Sequence, residues 1–194
     1  MDRSCHPTAM VDASAKISSG TKIWVNVQVR EGVVIGKNCV LSKDVYVDCN
    51  VTIGDGCKIQ NSVSIYDGVT IESEVFIGPN TTFTNDKVPR AFNTDWEITK
   101  TLVKRGASLG AGCTIVCGVE IGEYSMIGAG SLVVKDVPAF TLVAGNPARF
   151  ISKIDEQGNV TWKKTYGGSA DDFGFSLVES PEGGFVLMGY SNSQ

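Results

Sequence analysis

An apolar residue returns at every sixth position from Val11 to Phe83, through Ile17, Ile23, Val29, Ile35, Leu41, Val47, Ile53, Ile59, Ile65, Ile71 and Ile77. The series resumes at Val103 and runs through Leu109, Ile115, Ile121 and Ile127 to Val133. Against a background of 42% hydrophobic residues, nineteen hits in nineteen positions has a chance probability of about 10^-7. The fourth residue after each hit is small or β-branched, as at Val27, Cys39, Val45, Cys57, Val63, Thr81, Cys113 and Ser125. Two inward side chains per unit with a corner between them suit neither an α-helix nor a sandwich strand. Three such units close a triangular coil, and stacked coils cover one another's apolar faces, which is a parallel β-helix. Gly36, Gly54, Gly78, Gly110, Gly122 and Gly128 follow inward aliphatics, and Asn38, Gly56, Gly68, Asn80, Gly112 and Gly130 suit tight corners. Corner geometry therefore accounts for the LGAG and IGAG stretches without a phosphate cradle.

The 194 residues suffice for one substantial domain and an appendage, and a net charge of −4 argues against nucleic acid as a partner. No apolar run near the N-terminus is long enough for a signal peptide or membrane span, so the sequence points to a cytoplasmic protein without membrane association. Cys39, Cys57 and Cys113 fall on the small inward position, Cys49 and Cys117 on outward corners, and Cys5 near the start. No CxxC pair suggests a structural metal. Twenty residues separate Phe83 from Val103, which leaves an excursion of fourteen beyond one repeat, at about 86–101. A loop of this length in a repeat fold is usually functional. Its Phe92 and Trp96 are more apolar than a solvated loop needs, so they are expected to pack on a neighbouring subunit. The period fades after Pro138, which sets a β-helix domain at 1–150 and an extension at 151–194. Phe175, Leu177, Phe185 and Leu187 alternate around SPEGG, predicting a β-hairpin from about 161. This stretch resembles one repeat of a propeller-like module, too little to bury a core alone.

Because a coil is three units, residues eighteen apart stack at one corner. Asn85 then lies above Asp67, Cys49 and Glu31; Thr84 above Tyr66, Asp48 and Arg30; Thr82 above Ser64, Tyr46 and Gln28. With the loop taken as one detour, Ile115 sits over Phe83 and Cys117 over Asn85. Arg30, Tyr46, Asp48, Tyr66 and Asn85 form a polar, aromatic wall beside the excursion, the best candidate binding surface. The alternative is a solvated edge whose tyrosines cover aliphatic neighbours.

The segments KIQNSVSIYDGV, GPNTTFTND, PRAF, TLVKRGASLGAGCTIVCGVEIGEY, IGAGSLVVKDVP and AGNPAR resemble the hexapeptide-repeat acyltransferases. More narrowly they are similar to N-acetyltransferases of the 3-amino group of nucleotide-linked 3-amino sugars. The resemblance implies an all-β, left-handed parallel β-helix, a homotrimer, and acetyl-CoA lying between adjacent subunits. It implies that Asn85 contacts the reacting amine and that a backbone N–H near Cys117 or Gly118 polarises the thioester; Asp67, close in the stack, would help take up a proton. For the sugar nucleotide, stacking points to Gln28, Arg30, Tyr46 and Tyr66, flanked by Asn26, with Arg90 from the PRAF stretch. For the CoA phosphates the cations are Lys104, Arg105, Lys135 and Arg149, with Pro147 beside the adenine. Many members use a histidine base, whereas here the one histidine, His6, lies far below the wall. A free amine attacks a thioester without a strong base. The stretch IWVNVQV stands where several relatives carry a histidine, which leaves open a uridine or thymidine diphosphate and a uronic acid or 6-deoxyhexose. Arg30 suits a carboxylate or a phosphate equally.

A carbonic-anhydrase activity would need three histidines per site, which one histidine per chain does not furnish as a wall. O-acetylation of a hydroxyl calls for a base that the wall lacks. A non-enzymatic scaffold would leave the wall and the excursion without a purpose.

Overall fold

The structure is a computed structural model that describes residues 4–161, 172–179 and 185–191. Contacts divide the chain into two units, Met1–Thr161 and Trp162–Gln194. In the second unit, Asp172–Glu179 pairs antiparallel with Phe185–Ser191; the SPEGG turn lies outside the described residues. Among the described residues no helix is long and apolar enough to cross a membrane.

The first unit is a parallel β-helix. Its strands are mostly two residues long because the chain must turn a corner every six, and they build three faces. Among the described residues the first face runs from Ser4–Cys5 through Lys22–Ile23 and Phe76–Ile77 to Thr141–Ala144, closed by the antiparallel Arg149–Lys153. The second runs from Met10–Val11 through Tyr46–Val47 and Thr82–Phe83 to Leu132–Val133, and the third from Lys16–Ile17 through Val69–Ile71 to Glu120–Ile121. The registers Gln28↔Tyr46, Tyr46↔Ser64 and Ser64↔Thr82 step by eighteen. Phe83 then pairs with Ile115, so the excursion leaves the ladder in phase. Thr101, at its predicted edge, is already a buried strand residue opposite Val69.

The six-residue series is the core. From Ile23 to Val133 every predicted inward aliphatic or aromatic residue is buried; Val11 and Ile17 are half-buried because no coil of the described residues lies beneath them. Each buried Ile or Leu contributes about 2 kcal/mol. The small inward position has a further use. Thr21, Cys39, Cys57, Thr81 and Cys113 donate to the carbonyl oxygens of Gly36, Gly54, Glu72, Gly110 and Gly128 in the adjoining coil, at 2.8, 3.0, 3.0, 3.1 and 3.3 Å. A hydroxyl or thiol there fills space like a small apolar group while satisfying a corner carbonyl. The predicted corner residue Asn38 has φ +56°, in the left-handed region that Asn and Gly tolerate. Gly54 meets a different demand: a Cβ there would lie 2.5 Å from the Ser73 nitrogen of the next coil.

Candidate active site

The corner between the second and third faces carries the wall. Arg30, Asp48 and Tyr66 occupy one column, and Glu31, Cys49, Asp67, Asn85, Cys117 and Lys135 the next, as the register steps require. Two residues in succession face outward here because the chain is turning rather than running as a strand. Glu31 therefore grips its neighbour Arg30, accepting from Nε at 3.0 Å and Nη2 at 3.1 Å. Arg30 Nη1 also donates to the Tyr46 hydroxyl at 3.4 Å and approaches Asp48 to 3.7 Å. The Tyr46 hydroxyl donates to Asp48 Oδ1 at 3.0 Å, and the Cys49 amide to the same oxygen at 2.9 Å. Tyr66 meets Tyr46 edge-on with ring centroids 5.9 Å apart. Below, a groove of about 520 Å³ is lined by Met10, Asp12, Gln28, Arg30 and Glu31 among others.

The network moves protons in consistent directions. Glu31 is lowered to about 2 by the hydrogen bond from Cys49 and by Arg30. Cys49, whose thiol donates to Glu31 at 3.0 Å, is raised to about 11 by that same bond and by burial. Burial pulls the Asp48 carboxyl up, but its bonds from the Cys49 amide, the Tyr46 hydroxyl and the Cys49 thiol hold it below the ordinary range. Tyr46 is raised, first by burial and also by Asp48. The wall is thus charged but internally paired, and its thiol stays protonated.

Asn85 heads the wall half-buried, and its carbonyl accepts from Thr99 N at 2.9 Å, where the excursion returns. Among the described residues its side-chain amide has no hydrogen-bond partner. Asp67, one coil below, accepts from Asn50 Nδ2 at 3.1 Å through Oδ2.

Three expectations need correction. Cys117 keeps the corner position above Asn85 but is covered there, 3% exposed. It stands where the excursion leaves and rejoins, and Thr99 lies so close to Gly118 that a Cβ there would come within 2.9 Å of its methyl. The backbone amides meant to polarise a thioester are already engaged: Cys117 N donates to Thr84 Oγ1 at 3.0 Å and Gly118 N to Thr101 Oγ1 at 3.3 Å. Asn26 belongs to a different corner, between the first and second faces, where φ is +56° and its side chain donates to Asp44 at 3.2 Å.

The predicted cofactor residues divide. Lys135 tops the wall column, exposed, and Gly145–Arg149 runs beside Leu132, with Leu132 N bonded to Gly145 O and Ala148 N to Leu132 O. Pro147 and Arg149 are exposed in that strip. Lys104 and Arg105 stand instead at the corner between the third and first faces, paired to Glu120 at 2.7 Å and Glu74 at 2.8 Å. Arg90 is exposed on the excursion and bonds to Pro89 O. His6 sits in the lowest coil with Nδ1 3.0 Å from Thr8 Oγ1, away from the wall. Residue pattern alone did not reveal Glu31 and Thr84; the stacking interval placed both at this corner, but not their partners.

The bacterial transferase hexapeptide model (six repeats) matches residues 50–85, and the hexapeptide repeat of succinyl-transferase matches 25–49, 32–67 and 105–135. The dTDP-3-amino-3,6-dideoxy-alpha-D-galactopyranose 3-N-acetyltransferase of Aneurinibacillus thermoaerophilus is 49% identical over 144 residues, 74% of each chain. A hexapeptide-repeat acetyltransferase from Vibrio cholerae, solved with acetyl-CoA, is 28% identical with a TM-score of 0.57, covering 64% of this chain and 72% of that one. GDP-perosamine N-acetyltransferase from Caulobacter crescentus shares the fold, with a TM-score of 0.51 at 23% identity over 79% of this chain and 58% of its own. The repeat and a relative 49% identical over 74% of both chains agree, and the chain belongs to the hexapeptide-repeat acyltransferases, in the family that N-acetylates nucleotide-linked 3-amino sugars.

Proposed function

We propose that this protein transfers the acetyl group of acetyl-CoA to the 3-amino group of a nucleotide-diphosphate-linked amino sugar, working as a homotrimer. The observation that carries the reading is Asn85. At the head of a wall whose other polar groups are largely satisfied among themselves, its amide is uncommitted, beside the loop and with no histidine near.

The chemistry asked of the chain is positioning. Asn85 orients the sugar amine in its unprotonated form, and its Nδ2 can also donate to the oxygen that gains charge as the amine attacks. The new C–N bond forms, the thioester C–S bond breaks, and the nitrogen's proton passes to the departing sulfur, with Asp67 near enough to relay it. Since the Cys117 and Gly118 amides are held by threonines, stabilisation of that oxygen falls to Asn85 rather than to the backbone. Lys135 and Arg149, exposed and carrying no ion pair with a carboxylate among the described residues, suit the CoA phosphates. Lys104 and Arg105 lie at another corner, ion-paired to Glu120 and Glu74, and would meet the same ligand from a neighbouring subunit of the trimer. Gln28, Arg30, Tyr46 and Tyr66 would hold the sugar nucleotide, with Arg90 approaching from the excursion.

The test is a panel of uridine- and thymidine-diphosphate 3-amino sugars, with matched 3-hydroxy sugars, offered with acetyl-CoA to the wild type and to Asn85→Ala. Acetylation of amines alone, slowed about a hundredfold by the substitution, is expected. Undiminished turnover by Asn85→Ala would remove Asn85 from the mechanism, and acetylation of hydroxyls would remove the amine specificity.

A further inference from the structure

We propose that Asp48 is a positioning residue of this wall: its carboxylate fixes the Tyr46 hydroxyl and the Arg30 guanidinium in the orientation in which they receive the nucleotide sugar. The proposal rests on the N-acetyltransferase reading above. Asp48 sits one coil above Arg30 and one below Tyr66. Its side chain is 17% exposed, against 48% for Arg30 and 53% for Glu31, so it lies behind the surface it organises.

An ionised carboxylate can only accept, and this sets the direction of the chain of bonds. Tyr46 spends its one proton on Asp48 Oδ1 at 3.0 Å, and can therefore only accept from Arg30 Nη1 at 3.4 Å. Toward solvent the phenol then offers a lone pair, so a sugar hydroxyl bound there must donate. The same carboxylate reaches the coil above, where Oδ2 lies 3.4 Å from the Asp67 amide. One side chain thus links Arg30, Tyr46 and the backbone beneath Asn85. Without it the phenol proton is free to turn outward, and Arg30 keeps Glu31 but rests on a hydroxyl that is no longer held in place.

Asp48→Ala, Asp48→Asn, Tyr46→Phe and the double variant Asp48→Ala/Tyr46→Phe test this in the 194-residue chain. Asp48→Ala is expected to raise KM for the nucleotide amino sugar about tenfold or more, with a smaller change in kcat and none in KM for acetyl-CoA. Asp48→Asn, which keeps an acceptor oxygen, should recover part of the loss and guards against a variant that fails to fold. The double variant should lose clearly less than the two single losses combined, because Asp48 acts in part through the Tyr46 hydroxyl. Additive losses, or parallel shifts in both KM values, would overturn the proposal. A readout independent of turnover is the Tyr46 phenol titration, followed by NMR of ring-labelled tyrosine: Asp48→Asn should move it downward, and an unmoved titration overturns the positioning role. A wild type inactive on every amino sugar would instead count against the acyl-transfer reading.

Discussion

Glu31 and Cys49 hold each other's protonation state. The thiol donates to the carboxylate, which stays ionised, and the carboxylate keeps the thiol from becoming a thiolate. The linkage has a definite sign. Glu31 falls from 4.5 to about 2 on folding, so its contribution is complete above 4.5 and disappears as pH drops through about 2. Glu31→Gln should therefore lower the denaturation midpoint at neutral pH and low salt, and the gap from wild type should close between these two values. A gap constant down to pH 2 would mean that Glu31 carries none of the effect. The ion pair of Glu31 with Arg30 is exposed, so salt should shrink the difference. The partner of Arg30 was not legible in the sequence, because neighbours along a strand point to opposite sides and only the corner turns Arg30 and Glu31 together. Asp48 and Tyr66 were legible above Arg30, and Tyr46 above Gln28, since a stacking interval is sufficient to assign each side chain to its column.

At the scale of the coil, the spacing between rungs is set by what lies at the close approaches. A methyl group at Gly54 would press on the Ser73 nitrogen at 2.5 Å and the Glu72 carbonyl carbon at 2.7 Å, both backbone atoms held in the ladder. Gly54→Ala is expected to destabilise by about 1–3 kcal/mol in urea denaturation, with no loss at Gly112→Ala beyond that of its left-handed φ. Equal stability of Gly54→Ala and wild type would mean that the rungs separate readily. The period of six was readable because every inward position meets the same surroundings, as Ile59, Ile65 and Ile71 do. The burial of Cys117 was not, for it depends on an irregular segment returning over the corner through the Thr99 to Asn85 bond. Nor could spacing alone reveal that Thr84 and Thr101 would capture the amides of Cys117 and Gly118.

For the whole β-helix unit, stability is close to a sum of rungs and their contacts with the next. Among the described residues its lowest coil has neighbours on one side only, and there Val11 and Ile17 remain half-exposed. The excursion presents Phe92 at 83% exposure and Trp96 at 45%, more apolar surface than a lone loop retains without a covering partner. Sedimentation is expected to give a species of three chains, and Phe92→Ser with Trp96→Ser should shift it toward the single chain; a monomeric wild type would leave Lys104 and Arg105 without access to the wall. The return of Ile115 to its place over Phe83 has one more consequence. Since no rung is re-phased by what is inserted between them, the part of that segment ahead of the Thr99 bond to Asn85 is free of the ladder's phase. Its length and chemistry can be altered, by evolution or by design, while the chassis that presents Asn85 keeps its shape.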